Sequence, residues 1–469
     1  MQAFSHGSPL RERWYNSLMA KLTFCSGVGT VTGADFLLES AAGSKILIDC
    51  GLVQGERVAE EFNRQPFPFD PASIHALVIT HAHLDHVGRI PKLVKDGFKG
   101  TIYSTPQTRD LAELVLNDAV GILANEARQE GKVPLYGAED VAKVFPLWRT
   151  IEYHTESKIA DGISIFLKDA GHILGSSMVE VSVDSVKALF TGDLGNSPAP
   201  LLRDTEAVGD VDYLIMESVY GDRNHEPREE RLAELERIVN ETLHRGGTLV
   251  IPAFSIDRTQ VLLYELNNLV EQKKIPSVPV FVDSPMAIRA TDIYKSNEDL
   301  FNDAVRGQIS RGDDIFSFPK LEYTMSRTES QGIDGMKGAK IILAGSGMSV
   351  GGRVISHEEH FLSDPQSTIL LVGYQSVGSL GRELANGAKK VRISKKHIKV
   401  KARIETLYGY SAHKDGDHLV EFVTTASKPL KQVFVVMGEP GASMHLAQRL
   451  NGEVGAKAMV PELGKIYEI

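Results

Sequence analysis

Four side chains able to bind a metal ion fall within six residues, His81-Ala82-His83-Leu84-Asp85-His86. The run directly follows an apolar stretch at 75–80, HALVIT, that reads as a strand. In extended backbone, side chains two residues apart point the same way, so His81 and His83 can share one ion. Asp85 and His86 stand where the chain turns into the next helix and can serve a second. Neutral imidazoles with a carboxylate suit Zn²⁺ or a similar divalent cation. A polar surface loop with chance histidines would not need all four at this spacing.

Such a centre needs further ligands from elsewhere in the chain. His172 lies in Ala170-Gly171-His172-Ile173-Leu174-Gly175, a glycine-flanked turn after a strand. A lone histidine in a turn is most often only a turn residue. Asp193 closes VKALFTGD at a strand end, where a carboxylate is well placed to bridge two metals. Asp49, in LIDCG, has the same strand-end setting, and an ordinary turn aspartate is its plain alternative.

The elements that must position these groups read as clusters of short strands with helices between. FLLES (36–40), KILIDCG (45–51), ISIFLKD (163–169) and VKALFTGD (186–193) are strand-like, and TRDLAELVLNDAVGILANEARQEG has apolar residues at helical spacing. From about 205 to 405, helices alternate with apolar runs that end in glycine, serine or proline, such as TLVIPAF, PVFVDSP, KIILAGSG and TILLVGY. That pattern predicts parallel strands with helical crossovers. Residues 405–469 return to strand, helix and strand. Together these predict a layered α/β fold. Residues 1–20 read as a polar extension.

Composition narrows the class. At 469 residues, two domains are expected. No stretch has the length of a membrane-spanning helix, and the first residues lack the apolar core of a signal peptide, so a cytoplasmic protein is expected. Cys25 and Cys50 are too few for a disulfide framework or a four-cysteine zinc site and read as buried free thiols. A net charge of −10 excludes binding to nucleic acid through global charge. Any polyanion must be handled by a local basic groove or by metal ions.

The order LIDCGLVQG, THAHLDH, AGHILG and FTGD resembles the metallo-β-lactamase superfamily. IMESVYGDRNH, VIPAFSIDRTQ, VDSPMA, AGSGMSVGGR, VGYQSVGSLGR and GYSAHKD then resemble its β-CASP nucleases, from about residue 22 to the end. The resemblance implies a four-layered αββα domain interrupted by an inserted α/β domain. The expected segments are 21–204 and 405–469 for the first and 205–404 for the second. It implies that His81, His83 and His172 hold one zinc, that Asp85 and His86 hold another, and that Asp193 bridges. Glu217 would orient His413, which would act as general acid. Asp85 and Asp49 join these two as expected catalytic carboxylates. Elementary chemistry agrees: two metals about 3.5–4 Å apart can activate a nucleophile and relieve charge on a phosphodiester, and a histidine with a carboxylate partner can deliver a proton.

One position departs from the family pattern. The RNA-cutting members carry a histidine before Gly438-Glu439, where this chain has Met437. Three readings follow: water fills the gap, the Met437 sulfur touches the metal, or the second site is weak. The DNA-cutting members also lack this histidine, but the surrounding motifs resemble the RNA branch. The expected activity is therefore a two-zinc ribonuclease acting on single-stranded RNA, endonucleolytic with room for 5′-exonuclease action. A DNA nuclease and a weakly catalytic RNA-binding subunit are the alternatives. A homodimer is one candidate assembly. Arg258, Ser346 and Ser376 are candidate phosphate contacts, the serines at glycine-rich turns where an anion binds well. In 389–403, KKVRISKKHIKVKAR, alternation puts His397, Lys399, Lys401 and Arg403 on one basic strand face. That face could line an RNA path or guard a sheet edge.

Overall fold

Period-two alternation builds two seven-stranded sheets that face each other in the computed structural model, which describes residues 19–55, 57–376 and 378–469. The first sheet runs Ile466–Glu468, Lys21–Ser26, Asp35–Glu39, Lys45–Ile48, Ala76–Val78, Thr101–Ser104, Trp148–Thr150. It is antiparallel up to Lys45–Ile48 and parallel beyond. The second runs Ala458–Met459, Gln432–Val435, Tyr213–Met216, Val186–Phe190, Ser177–Val183, Ile163–Asp169, Ser157–Ala160. Phe24, Phe36, Ile48 and Val78 from one sheet meet Ile165, Val181, Phe190 and Phe434 from the other in a buried apolar core. Ring pairs Phe24–Phe434 (5.3 Å) and Phe36–Phe190 (6.2 Å) cross between the sheets.

Helices cover both outer faces. Pro106–Glu130 buries Leu111, Val115, Leu116 and Ala119 against the first sheet, at the three-to-four spacing of one helix face. The Thr105 hydroxyl caps its start by accepting from the Thr108 amide, and left-handed Gly131 ends it. Gly416–Thr424 and Pro440–Arg449 cover the second sheet. This is the expected four-layered αββα sandwich. The polar extension expected over 1–20 lies almost wholly outside the described residues. Cys25 and Cys50 are free and buried.

A third, six-stranded sheet is parallel throughout: Leu321–Tyr323, Val280–Asp283, Lys340–Ala344, Thr248–Pro252, Thr368–Val372, Arg403–Leu407. Helices lie on both faces, so its central strands are buried at every position and apolar at all but the first residue of each. Strand pairing shifts both junctions relative to the sequence reading. Tyr213–Met216 belongs to the second sandwich sheet, beyond the expected boundary at 205, and Arg403–Leu407 completes the parallel sheet beyond 404.

Behind the last turn of this sheet, Asp283 gathers an unusual number of partners. Its carboxylate accepts from Thr324 Oγ1 (2.7 Å), Ser330 Oγ (2.6 Å) and Arg353 Nη1 (2.6 Å) and meets His357 Nε2 at 2.8 Å. His357 Nδ1 meets Asp334 at 2.6 Å. Burial opposes a charged His357, but the hydrogen bonds to Asp283 and Asp334 win and raise its pKa to about 9. A pKa raised on folding gives stability that is complete below the unfolded value near 6.5 and is lost as pH rises through about 9. His357→Ala is therefore expected to cost about 3–5 kcal/mol at neutral pH, as for one partner removed from a buried ion pair. Urea unfolding below and above about pH 9 checks this. Equal loss of stability on raising the pH in wild type and variant would show that His357 is not the group responsible.

Candidate metal centre

The histidine-rich loop is clamped to its neighbours by backbone hydrogen bonds. Cys50 donates to His86 O (2.9 Å), Leu52 to Leu84 O (3.1 Å), Ala34 to Asp85 O (2.9 Å) and Arg89 to Cys50 O (2.9 Å). A Cβ on Gly51 would come within 1.5 Å of the Asp85 carbonyl, so only glycine admits this approach. His83 caps the short helix Leu84–Val87. His81 therefore stays on the strand-end side while Asp85 and His86 turn with the helix.

Three parts of the chain converge there. His83 Nδ1 lies 3.1 Å from His81 Nε2 and 3.2 Å from His172 Nε2. Asp193 Oδ2 lies 3.4 Å from His81 Nε2 and 3.6 Å from His172 Nε2. The other Asp193 oxygen is 3.4 Å from His86 Nε2, with Asp85 3.9 Å from the same nitrogen. Ligand-type atoms of His81, His83, His172 and Asp193 thus lie within 4.8 Å of one another, and so do those of Asp85, His86 and Asp193. Asp193 belongs to both groups. His86 Nε2 and Asp193 Oδ1 are buried without a hydrogen-bond partner among the described residues. Buried polar atoms are seldom left so, and a divalent cation between them would satisfy both. Burial and the His81 imidazole lower the pKa of His83, and burial and His413 lower that of His172. Both are thereby kept in the neutral form that binds metal.

Asp49 sits one layer back and not at the reacting space expected of a catalytic carboxylate. It is 0% exposed, and its Oδ2 meets His86 Nδ1 at 2.7 Å. It also accepts from the Thr80 amide and hydroxyl, both at 2.8 Å. This holds the His86 ring by Nδ1 and turns Nε2 to the cluster, where a bound cation would take the place of a proton. Thr80 was not singled out in the sequence, since a threonine at a strand end carries no signal.

The second constellation flanks the first. His413 Nδ1 lies 3.1 and 3.2 Å from the two oxygens of Glu217, which also accepts from the Leu194 amide at 2.7 Å. The His413 ring is 4.7 Å from that of His172. Burial opposes its charge, the Glu217 and Asp193 carboxylates outweigh this, and its pKa rises to about 9. The segment is pinned on both sides: Asn196 donates to Ala412 O (2.7 Å), Lys414 to Leu194 O (2.9 Å), and His225 Nε2 lies 3.0 Å from His413 O. Asp415 in turn accepts from the His225 amide at 3.1 Å. His225 and Asp415 escaped the sequence reading, although both lie inside motifs quoted for other residues.

Met437 is 2% exposed and belongs to the apolar core between the sheets. Its amide donates to Gly27 O at 2.8 Å, and its sulfur lies against Gly27. The side chain still lines a small cavity with Asp49, Thr80 and His86. Arg258, 6% exposed, lines a cleft with His172, Asn196, Arg231 and Ser411 and is 3.5 Å from the Asp257 carboxylate. Ser346 and Ser376 are half-buried on two loops joined by Gln375 Nε2 to Gly347 O (3.1 Å). The second loop reaches the sandwich through Tyr374 OH, which donates to Glu439 at 2.7 Å.

Two facing sheets with a histidine–aspartate cluster at their rim define a metallo-hydrolase of the metallo-β-lactamase fold. Residues 29–242 match the metallo-beta-lactamase superfamily, 259–384 the Beta-Casp domain, and 397–461 the Zn-dependent metallo-hydrolase RNA specificity domain. The chain is 36% identical over 393 residues to Ribonuclease TTHA0252 of Thermus thermophilus, covering 84% of this chain and 88% of that protein. It is 33% identical to the transcription termination factor FttA of Methanosarcina mazei over 91% of this chain and 68% of that protein. A crystal structure of a protein of unknown function from Enterococcus faecalis V583 has a similar fold, with a TM-score of 0.57 at 14% identity over 96% of this chain and all of that one. The chain belongs to the β-CASP family of the metallo-β-lactamase superfamily.

Proposed function

We propose that this chain is a zinc-dependent ribonuclease that hydrolyses phosphodiester bonds in single-stranded RNA, endonucleolytically and with 5′-exonuclease capacity. One observation carries the reading: two ligand groups share Asp193 and lie beside the pair of half-buried His413 and buried Glu217. The ribonuclease name of a close relative and the matched RNA specificity domain support RNA as the substrate. His81, His83 and His172 would hold one cation, Asp85 and His86 the other, with Asp193 between. Cations held there supply charge relief to the phosphate and lower the pKa of water. Glu217 holds the His413 ring, whose remaining nitrogen delivers a proton to the leaving oxygen. Arg258 offers a positive charge to a phosphate in the cleft beside His172.

With Met437 in place of a histidine, a second cation would be held by Asp85, His86 and the shared Asp193, leaving room for water; three protein ligands and water suit a catalytic zinc. One tight and one weaker site are therefore expected when zinc is titrated calorimetrically into stripped protein. RNA oligonucleotides should be cut once the weaker site fills, and matched DNA should not. Met437→His should tighten that site and raise cleavage at low metal. Preferential DNA cleavage would overturn the substrate assignment. Two equally tight sites, unchanged in the variant, would overturn the account of Met437.

A further inference from the structure

Residues 389–403 hold eight lysines and arginines and no acid, in a chain whose net charge is −10. The single strand expected there is a hairpin, Lys390–Ile393 against Lys396–Lys399, followed by the separate strand Arg403–Leu407. The turn at Ser394 redirects the alternation. Val391, Ile393 and Ile398 are buried against the far face of the parallel sheet, while Lys390, Arg392, His397 and Lys399 are exposed. Register sets Lys390 directly opposite Lys399 and Arg392 opposite His397.

Like charges directly opposite on a two-stranded sheet destabilise it. Here the repulsion is not relieved within the chain. Lys396 pairs with Glu359 and Arg403 with Glu241, but Lys390, Arg392 and Lys399 have no carboxylate within 4.0 Å among the described residues. The hairpin also sits away from the metal centre. Arg403 pairs at the start of the parallel strands, and five residues, roughly 17 Å of extended chain, separate it from the turn that leads to His413. Guarding the hairpin's edges needs charge along its rims; it does not need a face of unpaired cations.

We propose that this outward face of the 390–399 hairpin binds the phosphate backbone of single-stranded RNA outside the catalytic cleft. The proposal rests on the ribonuclease reading and adds an anchor for RNA that is not being cut. Phosphates aligned along the two strands would replace the missing counter-charges, with bound cations released from the RNA.

The test compares the triple variant Lys390→Gln, Arg392→Gln, Lys399→Gln with a control that neutralises exposed Lys99, Lys143 and Lys457 in the same way. Binding of a long single-stranded RNA is measured against salt, with His413→Ala added to every protein so that the RNA stays intact. The hairpin variant should bind about tenfold or more weakly at low salt and lose roughly 2 from the log–log salt slope, about 0.7 per phosphate contact. In the His413 background restored to wild type, cleavage of an oligonucleotide too short to leave the cleft should be unchanged. The control triple should keep the wild-type slope. Unchanged affinity and slope in a hairpin variant that melts like wild type would overturn the proposal, whether the face then serves an acidic protein or only prevents sheet stacking. Absence of RNA cleavage by the wild-type chain under any metal condition would instead overturn the ribonuclease reading on which the proposal rests, an outcome read separately from the binding slopes.

Discussion

His83→Ala is expected to reduce RNA cleavage to background and to lower the zinc content of the purified protein. His83 Nδ1 is the atom nearest to both other imidazoles of its group, 3.1 Å from His81 and 3.2 Å from His172. Its removal cuts the group from three imidazoles and a shared carboxylate to two imidazoles and that carboxylate, and imidazole nitrogens are the stronger neutral donors of such a site. The loss cannot be shared out to neighbours, because Glu217 is already committed to His413 and the Leu194 amide. Metal analysis separates this outcome from a folding defect, since the second group, Asp85, His86 and Asp193, keeps all its members. Wild-type cleavage with full metal in His83→Ala would remove the first site from the proposal.

His413→Ala should leave metal content unchanged and slow RNA cleavage by roughly 10²–10⁴-fold. His413 lies close enough to Asp193 to be counted in a third group of ligand-type atoms, with Glu217, so a ligand role is the competing explanation. Geometry separates the two. Nδ1 faces both Glu217 oxygens, so only the other ring nitrogen can meet substrate. A general acid matters in proportion to how poor the leaving group is. The variant should therefore regain much of its rate on a phosphodiester with a nitrophenolate leaving group, which departs without a proton. Cations bound nearby would draw the His413 pKa down from about 9 towards the working range. Loss of zinc, or equal slowing on both substrates, would make His413 a ligand.

Part of the ligand-type cluster was legible because its spacing is local. His81, His83, Asp85 and His86 follow one strand, and the two-residue period of that strand already says which side chains can meet. His172 and Asp193 were legible only through glycine-bounded motifs at strand ends, since nothing in a single turn reveals what it faces. Asp49 could not be placed from sequence for the same reason: a strand-end aspartate can face the site or stand behind it, and here the Thr80 amide and His86 Nδ1 take both its oxygens. Tyr213–Met216 gave no sign of its sheet in the sequence, because YLIM, buried throughout, looks the same in any fully covered parallel strand. The basic run was read as a strand because alternation holds from His397 to Arg403, whereas that stretch falls on two strands, Lys396–Lys399 and Arg403–Leu407. The left-handed turn at Ser394 that folds the preceding residues into a hairpin involves no glycine or proline.

The order in which the sandwich is sewn together has a consequence for its synthesis. Tyr213–Met216 pairs with Gln432–Val435, and Lys21–Ser26 with Ile466–Glu468. The entire parallel sheet is translated between the first two partners, so these contacts have long sequence separations and form slowly. The loop bearing His81 to His86 leaves the ribosome early, while His413 and the strand that completes its sheet leave late. A nascent chain therefore carries the His81–His86 part of the cluster long before it has His413. For an enzyme that cuts RNA, the two halves of the site can meet over the messenger only after the whole inserted sheet has been made.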